Sequence, residues 1–190
     1  IGQMDKDSIL GQPLTVTVDP KTTQVNIYYQ TTKGAEALDW LDTLSTSSKK
    51  TPFLYTQGQA ILTRTWIPLQ DSPSNRFTYN ATVKVPKDLL ALMSATNPTE
   101  KNASGIYEFE MDQPIPSYLI ALAVGDIAYH PLSANTGVYA EKELLDACVY
   151  EFEELPKMMS AASSLYGSYQ WKQYDLLVLP GGVKALEKLR

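Results

Sequence analysis

Up to residue 140 the dominant pattern is alternation. Residues 14–18 (LTVTV) alternate strictly and are rich in β-branched side chains, which predicts a half-buried strand. Asp19-Pro20-Lys21-Thr22 reads as a turn, and residues 25–31 (VNIYYQT) as the second strand of a hairpin. Phe77, Tyr79, Ala81, Val83 and Val85 alternate with Thr78, Asn80, Thr82 and Lys84 before Pro86 stops the run, so this is the clearest strand in the chain. Residues 106–111 (IYEFEM) alternate again, and Pro114 and Pro116 are expected to break that run. Beyond Pro114 and Pro116, the apolar run 118–124 has the length of a strand, Gly125-Asp126 a bulge or turn, and residues 127–129 continue in the same direction. Residues 138–140 close the series. The run 89–93 fits a strand or one helical turn, because periodicity does not separate them at that length.

Two connections carry less order. Residues 37–41 (ALDWL) offer Leu38, Trp40 and Leu41 as anchors of a short packed turn, and the STSSKK run at 45–50 has the composition of a linker or mobile loop tip. In all, seven or eight strands and almost no helix are expected before Glu141.

The period then changes. Between residues 141 and 166 the positions Leu144, Leu145, Cys148, Val149, Phe152, Leu155, Met158, Met159 and Ala162 recur at three- and four-residue intervals, which describes an amphipathic helix. Pro156 predicts a kink or break within it, because proline removes a backbone donor and clashes one turn back. Gly167 ends the helix and residues 174–179 form a buried strand. The fold class that follows is mainly β with a short α/β segment behind it, divided as 1–137 and 138–190. Val183, Leu186 and Leu189 could make one further short helix.

Charge and cysteine content narrow the partners. Sixteen Lys and Arg against 21 Asp and Glu leave a net charge of −5, which argues against nucleic acid, and no apolar run reaches the roughly 18 residues of a spanning helix. With 190 residues and 44% hydrophobic content the chain can bury a sizeable core. The lone cysteine, Cys148, excludes an internal disulfide and favours a cytoplasmic compartment, with periplasmic or secreted locations compatible.

The densest mixture of chemistry lies at residues 50–73 (KTPFLYTQGQAILTRTWIPLQDSP). Gln57 and Gln59 flank Gly58. In an extended segment both amides would project from one face, and the glycine would let a ligand or another backbone approach. Neutral amides carry donors and acceptors and can grip a peptide's polar end without burying a charge; the same residues also serve as ordinary polar groups of a sheet face. Arg64 and Asp71 bracket the following turn and suit an ion pair. His130 precedes Pro131 at a strand end, with no carboxylate spaced to share a metal, and Glu151, Glu153 and Glu154 read as a solvated helix face. No phosphate-binding glycine loop and no Gly-x-Ser-x-Gly elbow occurs.

Residues 52–95 (PFLYTQGQAILTRTWIPLQDSPSNRFTYNATVKVPKDLLALMSA), 115–127 (IPSYLIALAVGDI) and 141–180 resemble, in order, the zinc aminopeptidases of the gluzincin class, in the branch of leukotriene hydrolase and aminopeptidase B. The resemblance implies a saddle-like amino-terminal β domain, here without its first strands, followed by the opening of a thermolysin-like catalytic domain. It implies that Gln59, with Gln57 and Ala60 beside it, binds the free amino end of a peptide substrate. It also implies zinc in the full-length parent and the rest of the catalytic domain as partner.

Two departures limit the transfer. The family's Gly-x-Met-Glu-Asn motif, expected after the strand, is replaced by Gly181-Gly182-Val183-Lys184, with lysine in place of the glutamate. Zinc hydrolysis needs His-Glu-x-x-His, and one histidine cannot supply it, so no catalytic residue, metal ligand or cofactor is expected within these residues. The competing expectations are a non-catalytic β scaffold, or a carbohydrate-binding sandwich using Trp40 and Trp66. Exposed apolar surface would favour a homo-oligomer.

Overall fold

A computed structural model describes the backbone of residues 2–3 and 9–181 and the side chains of residues 9–181. It divides into two units, residues 1–30 and 31–190. In the first, β1 (Gly2–Gln3) pairs antiparallel with β2 (Leu14–Thr15). The expected hairpin is not formed: residues 16–30 carry no strand, and Val16, Val18, Val25 and Ile27 are exposed. Alternation predicts a strand only where one face has something to cover it, and within this unit none of these side chains is buried.

Among the described residues the second unit contains three sheets. The first has the order β3 (Leu38–Leu41), β4 (Phe53–Thr56), β8 (Leu122–Gly125), β6 (Leu90–Met93), all antiparallel. The run 89–93 thus resolves as a strand over Leu90–Met93, and the run 37–41 as an edge strand over Leu38–Leu41 rather than a packed turn. Trp40 sits on the open side of β3, 67% exposed, and anchors nothing. The second sheet is a ribbon of β5 (Arg76–Lys84) and β7 (Ile106–Pro116), with Ala81 opposite Phe109 and Val83 opposite Tyr107. Its register shifts between Phe77 and Tyr79. Burial along β5 alternates at every residue, as the pattern predicts. The run 118–124 is no single strand: Ser117–Leu119 forms a 3-10 turn, and only then does β8 begin.

These two sheets enclose a core of Phe53, residues 90–93, Tyr107, Phe109, Ile115, Ile120 and Ala123. Gly125 is required there because a Cβ would run into the Phe53 ring.

The third sheet places β10 (Thr136–Glu141) between β9 (Ile127–Pro131), antiparallel, and β11 (Tyr174–Leu177), parallel. A parallel neighbour needs a crossover, supplied by α1 (Leu145–Glu151) and α2 (Leu155–Tyr166). The single predicted helix is therefore two. Glu141 closes β10 instead of opening a helix, residues 152–154 turn, and Pro156 lies in the first turn of α2, where its missing N–H costs nothing. Gly167 ends α2 at φ +92°.

Successive residues of β10 and β11 face opposite cores. Tyr139, Leu177 and Leu179 join the first; Val138, Ala140, Leu176 and Val178 pack with Cys148, Val149 and Phe152 of the crossover in a second. β11 is half-buried along its length because it is an edge strand. The STSSKK run is not a linker: Thr46 is buried and donates to the carbonyls of Thr43 and Thr51, while the Ser47 N–H (2.9 Å) and hydroxyl (2.8 Å) donate to the buried Glu141 carboxylate.

Candidate functional site

β4 carries the chain to Thr56, whose hydroxyl accepts from the Leu122 N–H at 2.9 Å. The backbone then leaves the sheet. Gln57 N–H donates to the Ala37 carbonyl at 2.9 Å, and Leu62 N–H closes a turn onto the Gly58 carbonyl at 2.8 Å. The segment is thus a turn and not the extended strand expected from the sequence, and the two glutamine amides do not act as a matched pair. Gln57 Oε1 accepts from the Gln59 N–H at 3.0 Å, so this side chain braces the loop from within. The Gln59 side chain is exposed, and its amide makes no hydrogen bond among the described residues. Ala60 beside it is exposed, across a cis peptide bond.

Gly58 between them is buried against the 3-10 turn of β7–β8. A Cβ there would lie 2.6 Å from Thr63 Oγ1 and 3.0 Å from the Tyr118 carbonyl oxygen, so no larger residue fits without displacing the loop. The far side of the loop is held by polar groups, most of them buried. Thr63 Oγ1 donates to the Ser117 carbonyl at 3.0 Å, and Ser117 Oγ donates to Asp71 Oδ1. Arg64 N–H donates to Asp71 Oδ2 at 3.0 Å, with the guanidinium Nε at 3.4 Å from the same oxygen. Thr63 and Ser117 are fully buried and Asp71 is 6% exposed. Arg64 and Asp71 therefore form the ion pair their spacing suggests, as one edge of a larger network whose remaining members, Thr63 and Ser117, carry no sequence signal beyond their residue type.

The other sequence candidates disperse. His130 is exposed at the end of β9, opposite Val138. Glu151, Glu153 and Glu154 are exposed, and Glu154 pairs with Lys157 at 2.7 Å. Trp66 packs against the first core with its indole N–H buried and without a hydrogen-bond partner among the described residues, so of the two candidate tryptophans Trp40 alone is displayed as a carbohydrate platform would need. Burial pushes the Cys148 thiol above its usual range, which disfavours a nucleophilic thiolate. Lys184 and the residues proposed for a last short helix lie outside the described residues.

Asp175 on β11 was not anticipated. Burial raises its carboxyl above the ordinary range, opposed by hydrogen bonds from Gln173, the Gly137 backbone and Tyr129. It lines a cavity of about 270 Å³ with Tyr55, Leu122, Tyr139 and Leu177.

Among the described residues no group of three or more His, Cys, Asp or Glu could hold a metal ion. A zinc site with an open water position needs three such ligands. The described residues do not fit that ligand set.

The family profile of the peptidase M1 N-terminal domain matches residues 3–119. Leukotriene A-4 hydrolase of Xenopus laevis is 44% identical over 183 residues, covering 91% of this chain and 30% of that protein. Human aminopeptidase B is 40% identical over 158 residues, covering 83% and 24%. Native leukotriene A4 hydrolase from Saccharomyces cerevisiae superposes with a TM-score of 0.82 at 31% identity, over 94% of this chain and 28% of that one. An M1 zinc metallopeptidase from Deinococcus radiodurans shares the fold at a TM-score of 0.56 and 23% identity, over 67% and 32%.

The chain belongs to the M1 family of gluzincin aminopeptidases, and its residues 3–119 match the family's amino-terminal domain. Inside that family its likeness runs to the leukotriene hydrolase and aminopeptidase B branch, and it spans about 30% of the length of the first of those relatives.

Proposed function

We propose that this chain forms the side of a zinc aminopeptidase's substrate site that receives the free amino end of a peptide. The observation that carries this reading is the Gln59 amide, exposed and without a hydrogen bond among the described residues, on a loop whose backbone is tied down on both sides. Its oxygen can accept from a substrate ammonium and its NH2 can donate to a peptide carbonyl, which fixes the peptide's direction. Gln57 holds the Gln59 N–H and so sets the loop's shape, while Ala60 leaves room beside the amide.

In this reading zinc belongs to the intact protein and is held by residues outside this chain, where it would supply the activated water. Residues 1–137 belong to the amino-terminal domain and residues 138–190 open the catalytic domain. The rest of that domain is the chief partner, a peptide the substrate and the cytoplasm the compartment. The exposed apolar face of α2 also allows a homo-oligomer in the absence of that domain.

The test is a titration of the 190-residue chain with leucinamide and, separately, N-acetyl-leucinamide, followed by the backbone amide resonances of residues 57–62. Saturable shifts with the free amine alone, reduced about tenfold in affinity by Gln59→Ala, are expected. Equal responses to both compounds, or none, would refute the reading and leave a scaffold role.

A further inference from the structure

We infer that Thr63, Ser117 and Asp71 are positioning residues for the Gln59 amide, an inference that rests on the reading just given. All three side chains are buried, and none reaches the loop surface where a peptide would lie. They connect in series: Thr63 Oγ1 to the Ser117 carbonyl, Ser117 Oγ to one oxygen of Asp71, and the second Asp71 oxygen to the backbone and guanidinium of Arg64. The first link lies directly under Gly58, whose missing side chain leaves 2.6 Å between a built Cβ and the Thr63 hydroxyl. Gly58 lies between the residue that braces the loop, Gln57, and the residue that is displayed, Gln59. The Thr63 hydroxyl and the Ser117–Tyr118 backbone therefore form the floor against which Gln59 takes its height.

A carboxylate and two hydroxyls are an expensive floor. Buried polar groups cost free energy unless every one is satisfied, and an apolar trio of similar volume would hold a purely structural contact at less cost. Directional bonds do what apolar packing does not: they fix the 3-10 turn at Thr63–Thr65 and the one at Ser117–Leu119 to one mutual register. The bond from Thr63 to Ser117 spans 54 residues of sequence and the bond from Ser117 to Asp71 spans 46, so the register couples the β4–β5 connection to the β7–β8 connection.

The experiment compares the 190-residue chain with Thr63→Val, Thr63→Ser and Ser117→Ala. It reads the ratio of leucinamide to N-acetyl-leucinamide affinity together with amide hydrogen exchange at residues 57–62 and along β5 and β7. Thr63→Val keeps the shape and removes the donor. It should lower the ratio about tenfold and speed exchange at residues 57–62 while the β5–β7 ribbon stays protected. Thr63→Ser restores the hydroxyl and should return the ratio to within about twofold. Ser117→Ala should fall on the same side as Thr63→Val.

A ratio that survives both Thr63→Val and Ser117→Ala overturns this inference and leaves the function of Gln59 standing. A wild-type chain with no preference for the free amine overturns the reading of the loop and this inference together. Loss of protection along β5 and β7 in both variants shows general unfolding and also overturns it.

Discussion

The loop at residues 57–71 and the helix α2 invert the usual relation between regularity and anchorage. The loop has one 3-10 turn and no strand, yet it buries Gly58, Thr63 and Asp71 and ends its polar groups on defined partners. α2 has twelve residues of regular helix and buries none of them. Its apolar stripe of Leu155, Met158, Met159, Ala162, Leu165 and Tyr166 leaves Met158, Leu165 and Tyr166 between 64% and 88% exposed. Hydrogen bonds within a helix make its shape but do little to seat it, because helical stability in proteins comes mainly from the packed face. Buried bonds across sequence seat a segment that has no shape of its own.

The sharpest way to break the comparison is Asp71→Ala. It leaves the Ser117 hydroxyl and the Arg64 N–H without their acceptor in a site closed to water. We expect a loss of about 2–4 kcal/mol in denaturant unfolding. A loss under about 0.5 kcal/mol, the range of ordinary surface changes, would mean the loop is seated by something else.

Gly58→Ala tests the same seat from above. The added methyl meets Thr63 Oγ1 and the Tyr118 carbonyl, and overpacking of this kind costs about 1–3 kcal/mol.

Asp175 follows the crossover that contains α2 and carries a smaller effect through pH. Its folded carboxyl titrates above its unfolded value, so between those two values the folded chain holds more protons than the unfolded one. Stability therefore falls as pH rises from the ordinary carboxylate range through the folded value of Asp175. Asp112 acts in the opposite direction, because Lys172 holds its carboxyl down, but that pair is exposed and yields to salt. Asp175→Asn at moderate salt should flatten the decline, and an unchanged slope between acid and neutral pH would remove Asp175 from the account.

The smallest effect belongs to α2. Leu165→Lys should change unfolding of this chain by no more than about 0.5 kcal/mol, since the side chain is 75% exposed. A larger loss would show that the helix is seated after all.

What could be read in advance follows the same division. β5 and residues 106–111 of β7 were legible because their alternation has a covered face, with Phe77, Tyr79, Ala81 and Val83 on it, whereas β7 runs on through Pro114 to Pro116, the prolines expected to break it. The helical region was legible by its period and its break by Pro156, which stands in the first turn of α2 directly after the interruption at residues 152–154. Residues 25–31 misled because the same alternation occurs where nothing in their unit buries it. At the candidate site Gln57 and Gln59 stood out as amides flanking Gly58, their assignment to a substrate's amino end and Ala60 came through a family resemblance, and the Arg64–Asp71 pair stood out through its spacing. Thr63 and Ser117 were illegible, because a hydroxyl becomes a partner only when the fold brings a distant carbonyl or carboxylate to it.

Glu141 and Ser47 stand 94 residues apart, and their bond exists only once the loop after β3 and the last residue of β10 have reached their final places. Closing so long a segment brings no return until both ends are assembled. The Ser47 amide proton is accordingly a single-site gauge of completion: its protection from exchange counts the molecules in which the two distant pieces have met, whatever order the sheets take in forming.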